Sequence, residues 1–195
     1  MAELSLNVET PTQARILEAA RTCFRARGVR RTRMNDIAEE AGVVRQTLYD
    51  WVRSRDHLVD LAMAERSREL GEMIKRRPVR DDLAIEDQIV DVVVAMVTLS
   101  GSDPEFTLLA QSMPEEHAFE FMAGQSELTE VLEGVLRPYF DRARERGILR
   151  EELGTRALAR WIQAVLASLR PRRGQPVEVT AAELRYFLIP ALVTG

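Results

Sequence analysis

Between Thr32 and Arg55 the chain gathers side chains that make paired hydrogen bonds with planar donor–acceptor edges. Arg45, Gln46, Thr47, Tyr49 and Asp50 lie close together, with Thr32 and Arg33 before them and Arg53 and Arg55 after. A guanidinium matches the two acceptors of guanine, a carboxamide matches the acceptor and amine of adenine, and a threonine methyl fits the thymine methyl. The Tyr49 hydroxyl and the arginines on either side suit phosphate oxygens, which hold register without reading sequence.

Catalytic chemistry is thinly represented by comparison. There is no glycine-rich phosphate loop and no Gly-x-Ser-x-Gly elbow. Glu115-Glu116 and Glu151-Glu152 are paired acids, but both pairs fall at predicted helix starts, where carboxylates are favoured electrostatically. Cys23 is the one cysteine, which excludes a disulfide within the chain and a multi-cysteine zinc site. The two histidines, His57 and His117, are 60 positions apart and make no histidine-rich metal motif. No catalytic residue, metal or cofactor is expected.

Base-reading side chains need a helix that carries them into the major groove, braced by a second helix across it. Residues 33–52 have that pattern: Ala38 is the small residue on the first helix and Gly42 the turn. Ile37, Ala41, Val43, Leu48 and Trp51 supply the shared apolar side. With Leu48 inward and about 100° per residue, Gln46 and Asp50 point most directly outward, flanked by Thr47 and Tyr49. Arg45 and Gln46 occupy the N-terminal end, the part that usually meets base edges.

Helical periodicity runs through the rest of the chain. Ile16, Leu17, Ala20, Cys23 and Phe24 form one stripe, opened by Thr10-Pro11 and closed by a left-handed exit at Gly28. Cys23 is therefore a core residue. Thr32 is expected to cap the second helix, without a capping box because Asn35 stands three positions on. A third helix spans about Val44 to Trp51, and Ser54 caps a fourth that ends at Lys75-Arg76-Arg77, before Pro78. Residues 78–82 form a connection.

Residues 89–99 are apolar except Asp91 and Thr98, and are predicted as a buried central helix because Val92-Val93-Val94 has no partner strand. Asp103-Pro104-Glu105 and Pro114-Glu115-Glu116 open two further helices. A long helix from Ser126 toward Gly147 should kink or divide at Pro138. Final helices are expected near 153–170 and 179–193. The fold class is all-α, with a three-helix helix-turn-helix domain at 10–56 and a larger helical domain at 57–195.

The chain is 46% hydrophobic and 30% charged, enough apolar material for a packed core. Its formal charge of −4 is unevenly spread: Thr10 to Asp56 holds ten Arg against six acids, a local +4. A basic head on an acidic body is the asymmetry expected if only the head meets phosphate. No run approaches the ~20 apolar residues that span a bilayer, so no membrane partner is expected and the location is cytoplasmic.

The set Arg15-Ile16-Leu17-Glu18-Ala19-Ala20, Phe24, Gly28, Thr32, Asp36-Ile37-Ala38, Ala41-Gly42-Val43, Thr47-Leu48-Tyr49, Ser54 and Leu58 resembles the TetR (tetracycline-repressor-like) family over about the first 60 residues. Gly147-Ile148-Leu149-Arg150 resembles a recurring turn of the same proteins. Departures lie in and beside the reading helix: Val44 replaces a frequent serine cap, Gln46 a frequent glycine, Trp51-Val52 the common aromatic pair, and Arg55 a typical lysine.

The resemblance implies a bacterial homodimeric repressor of a palindromic operator in double-stranded DNA, released by a small-molecule ligand that binds the larger domain. It implies a four-helix bundle across the two-fold axis, built from the last two helices. Leu158, Ile162, Val165, Leu169, Leu184, Phe187, Leu188 and Leu192 are its expected interface, so that Leu188→Glu splits the dimer. Expected pocket walls are Val93, Met96, Val97, Phe106, Leu109, Met113, Phe119, Met122 and Trp161, with His117 as a polar partner. Few polar anchors accompany them, so the expected ligand is apolar or amphipathic. Two competing readings are a ligand-independent DNA-binding protein and a small-molecule module with a degenerate head.

Overall fold

A computed structural model describes Val8 and residues 10–124, 126–150, 154–168 and 181–193. The regular elements among them are helical: α1 (Pro11–Arg27), a 3-10 turn (Val29–Arg31), α2 (Met34–Glu40), α3 (Arg45–Trp51) and α4 (Arg55–Lys75). After them come α5 (Ile85–Ser102), α6 (Pro104–Ser112), α7 (Glu115–Gly124), α8 (Ser126–Glu145) and α9 (Thr155–Ser168). A C-terminal stretch follows, in which Ala181–Glu183 and Ile189–Leu192 flank a π-helical turn at Leu184–Leu188. The all-α class holds, with only an isolated bridge between Leu149 and Val193 among the described residues.

Two compact units emerge, the first extending beyond residue 56. The first runs through Arg66 and takes in Pro104–Ala118; the second comprises Ser67–Asp103 and the chain from Phe119 on. Side chains explain why 104–118 joins the head. Glu105 of α6 accepts from Arg21 Nε at 2.7 Å and Arg21 Nη2 at 3.1 Å, and pairs with Arg25 at 3.2 Å. His117 of α7 meets Asp60 of α4 at 2.8 Å.

In the first unit, α1 starts with a full capping box. Thr10 Oγ1 accepts the Gln13 N–H at 3.2 Å, and Gln13 Oε1 accepts the Thr10 N–H at 2.9 Å. Its apolar stripe is buried from Ile16 to Phe24, Cys23 included, and burial pushes the Cys23 thiol up, reinforced by the Glu40 charge. Gly28 leaves the helix at φ 78° and ψ 152°, a positive φ that suits glycine, and the chain continues into the 3-10 turn. The α2 cap falls one residue later than expected, on Arg33, whose N–H is accepted by Asp36 Oδ2 at 2.9 Å.

Three hydrogen bonds close α2. Gly42, at φ 62°, donates to Glu39 O at 3.0 Å, Val43 donates to Ala38 O at 3.0 Å, and Ala41 donates to Ile37 O at 2.9 Å. The first two form a Schellman turn, in which the positive φ at Gly42 satisfies the last carbonyls of the helix. Ser54 then opens α4 as expected, its Oγ accepting the His57 N–H at 3.1 Å.

The second unit is built on an apolar core shared by α5, α8, α9 and the C-terminal turns. Residues 89–99 do lie in one helix, but only its first half is buried; Val94 to Val97 are half-exposed. A Cβ on Gly71 would sit 2.5 Å from Val131 Cγ1, so this glycine permits the approach of α4 to α8. Pro138 does not divide α8, which is one helix from Ser126 to Glu145. The proline removes a bond to the Gly134 carbonyl, and its ring faces solvent. Gly147, at φ 69°, ends α8 with a second Schellman turn, and Arg150 then donates to Leu192 O at 2.9 Å.

Candidate nucleic-acid interface

Helix α3 owes its orientation to one side chain. Leu48 is fully buried, with Ile37, Ala38 and Ala41 buried on the α2 side. Val43 and Trp51 are only half-buried; Val52, absent from the expected core, is fully buried instead. Its N–H donates to Leu48 O at 3.0 Å and ends the helix. The turn chemistry of Gly42 and the Leu48 anchor together leave the opposite side of α3 in water.

That side carries Arg45, Gln46, Tyr49 and Asp50, all exposed, with Thr47 half-buried. They are joined in two pairs one helical turn apart. The Arg45 guanidinium lies 5.1 Å from the Tyr49 ring centroid, and its Nη2 donates to the Tyr49 hydroxyl at 3.4 Å. Gln46 Nε2 donates to Asp50 Oδ1 at 2.7 Å. Such i, i+4 contacts restrict long side chains before any partner arrives.

Arg33 and Arg53 stand exposed at either side. Arg55 is half-buried, and its Nη1 donates to the Arg30 carbonyl at 3.2 Å. Thr32 is a correction. It is 2% exposed, and its hydroxyl is shared between the Cys23 and Gly28 carbonyls at 3.2 and 3.0 Å. It fastens α1 to the α2 start and offers no hydroxyl to a phosphate. Val44 caps α3 without a side-chain bond and is 70% exposed beside Arg45.

The residues expected to line a ligand pocket are divided. Phe106, Leu109, Met113 and His117 belong to the first unit; Val93, Met96, Val97, Phe119, Met122 and Trp161 belong to the second. Val93 and Leu109 are fully buried packing residues, whereas Phe119 and Trp161 are largely exposed. His117 Nε2 is taken up by Asp60. Burial pushes the Asp60 carboxyl up, against the opposing pull of His117 and His57. Both ring nitrogens of His57 are buried without a hydrogen-bond partner, and burial holds its pKa down, with the Arg53 charge adding and Asp60 opposing.

The expected dimer face is also corrected. Leu158, Ile162, Leu184, Leu188 and Leu192 are buried in the protomer's own core, so they have no surface left for a partner. Phe187 is exposed and Val165 is half-buried, while Leu169 lies outside the described residues. Trp161, Tyr186 and Phe187 are the large apolar side chains this region leaves exposed, Tyr186 and Phe187 packing edge to face at 4.9 Å. Buried amides serve structure: Gln163 accepts from the Thr129 hydroxyl and donates to Met122 O at 2.9 Å.

Two short helices joined by a glycine turn, one of them anchored by a leucine and exposed along a polar face, define a helix-turn-helix DNA-binding protein. Residues 16–62 match the model for bacterial regulatory proteins of the tetR family, which identifies this part of the chain as the DNA-binding domain of a transcriptional regulator. No curated protein sequence matches it significantly.

Solved structures share the fold. The transcriptional repressor QsdR of R. erythropolis, from the TetR family, is 20% identical with a TM-score of 0.64, covering 92% of this chain and 94% of that one. The TetR family repressor AlkX of Dietzia sp. is 21% identical with a TM-score of 0.62, covering 93% and 95%. FadR of Bacillus subtilis, in complex with stearoyl-CoA, is 15% identical with a TM-score of 0.53, covering 90% and 97%. No single helix among the described residues is long and apolar enough to cross a membrane.

Proposed function

We propose that this regulator is a homodimeric repressor that occupies a palindromic operator and leaves it when a small apolar or amphipathic ligand binds. The observation that carries this reading is the exposed face of α3, where Arg45, Gln46, Tyr49 and Asp50 stand clear of the Leu48 anchor. Arg45 and Gln46 read bases, Thr47 and Val44 meet apolar base edges, and Tyr49, Arg33, Arg53 and Arg55 hold phosphates. Residues 10–56 act as the reading head and 57–195 as the ligand-binding and dimerising body, in the cytoplasm.

Two heads reach half-sites about 34–36 Å apart only if the dimer holds them at that spacing. Exposed Trp161 and Phe187, with Val165 beside the former on α9, supply apolar contact for a second copy. Half-exposed Met96, Val97 and Met122 offer polarizable surface for a ligand. A ligand shifts occupancy only by binding one head spacing better than the other.

The test is titration of an operator-bound complex, assembled on a duplex selected from a random pool. The probes are stearoyl-CoA, which the Bacillus subtilis FadR structure holds, a long n-alkane, and a small polar sugar as control. Release by an apolar probe with no response to the sugar is expected. An operator complex indifferent to every apolar and amphipathic probe contradicts ligand release and favours constitutive DNA binding.

A further inference from the structure

We infer that Asp50 is a positioning residue that sets the base preference of Gln46, directing this part of α3 toward adenine, whose exocyclic amine and N7 lie side by side in the major groove. The inference rests on α3 being the base-reading helix.

Gln46 and Asp50 are both exposed, one turn apart, and joined by the Gln46 Nε2 bond to Asp50 Oδ1 at 2.7 Å. An ionised carboxylate only accepts hydrogen bonds. It therefore selects the nitrogen of the amide and turns the amide oxygen away from itself. A free glutamine rotates easily about its last torsion and offers either edge. Tied to Asp50, Gln46 offers its Oε1 as an acceptor, with one N–H remaining. The second Asp50 oxygen is another acceptor at the same level of the helix.

The major groove sorts bases by this chemistry. Adenine N6 and cytosine N4 donate there, whereas guanine O6 and thymine O4 accept. Every base pair presents one amine base and one carbonyl base, so acceptors alone favour the strand that carries the amine, and the remaining N–H decides between the pairs. Adenine adds N7, which suits the remaining Gln46 N–H. The neighbouring Arg45–Tyr49 pair leaves the Arg45 guanidinium as a donor set, complementary to the acceptors of guanine. One helix thus presents a donor pair and an acceptor pair side by side, and the base read by Arg45 is an internal control.

Parallel selections from a random duplex pool, with the full chain and its Asp50→Ala and Asp50→Asn variants, test this. Thermal melting checks that each variant is folded. The unmodified chain is expected to enrich an A·T pair about tenfold over a G·C pair at one symmetric position per half-site. Asp50→Ala should flatten that position alone to about twofold or less, with Asp50→Asn between the two and the Arg45 position unchanged. Gln46→Ala should flatten the same base pair.

Other results overturn the inference in distinguishable ways. A specific site whose base profile is identical in Asp50→Ala and Asp50→Asn, with affinity merely scaled, leaves the repressor reading in place and removes the role of Asp50. Enrichment of a G·C pair at the Gln46 position does the same. A chain that selects no sequence at all overturns the DNA-reading helix and this inference with it.

Discussion

Helix α3 and the helices that close the second unit, α9 with the C-terminal turns, dispose of their side chains in opposite ways. α3 buries one leucine and exposes a guanidinium, an amide, a phenol and a carboxylate, already tied into two pairs. The C-terminal region buries every described leucine of the expected interface and leaves an indole, a phenol and a phenyl ring in solvent. The first surface is solvated until a polar partner replaces its water hydrogen for hydrogen. The second gains by losing water, as aromatic side chains do at protein contacts. One protomer thus carries a face suited to nucleic acid and another suited to protein.

The largest expected effect comes from breaking the second region. Leu188 is 2% exposed in the core, so Leu188→Glu places a carboxylate among apolar side chains. The cost is at least about 4 kcal/mol, and the variant should lose its cooperative thermal transition instead of yielding folded monomers. A well-folded monomer by size-exclusion chromatography and melting would restore Leu188 to the interface.

Next is the clasp within the first unit. Arg21 is 7% exposed, and Glu105 is its bidentate partner. Glu105→Ala leaves a buried guanidinium short of its best acceptor, and denaturant unfolding should show a loss of about 3 kcal/mol. An unchanged midpoint would mean that Glu18, 3.7 Å from Arg21, takes over fully.

The recognition face should respond in binding and not in folding. Arg45→Ala is expected to weaken binding to the selected duplex by about 1–3 kcal/mol, measured by titration, with the melting temperature unchanged. Equal loss on a scrambled duplex would assign Arg45 to phosphate.

The smallest effect is on pH dependence. The folded pKa of His57 is lowered from 6.5, chiefly by burial, so the unfolded chain takes up the proton more readily. Its contribution is complete above about 6.5 and is lost as pH falls toward the folded value. Asp60, raised from 3.8, acts oppositely: stability is gained as pH falls through its folded value toward 3.8. His57→Gln should flatten the decline in melting temperature just below neutral pH; an unchanged slope would place its origin elsewhere.

The two regions also differ in how much of them could be read from residue order. At α3 the turn glycine, the small Ala38 and the single Leu48 leave one packing solution, so the polar face follows from periodicity. Thr32 misled because a hydroxyl before a helix caps it in most settings, and here two carbonyls of the preceding helix end claimed it. In α9 and the C-terminal turns, a leucine stripe is equally suited to its own core and to a partner. Periodicity gives its direction relative to the helix and not the identity of what covers it. The Glu105 clasp and the His117–Asp60 pair join positions 84 and 57 residues apart, beyond the reach of local pattern.

The central claim is that the exposed face of α3 reads sequence as part of a dimer. The most direct test is the affinity of the full chain for its selected duplex and for a scrambled one at two salt concentrations, with the mass of each complex determined. Two protomers on a palindromic duplex, bound about a thousandfold or more above the scrambled control and retaining that ratio as salt rises, are predicted. Equal affinity for both duplexes, collapsing together with salt, would contradict it.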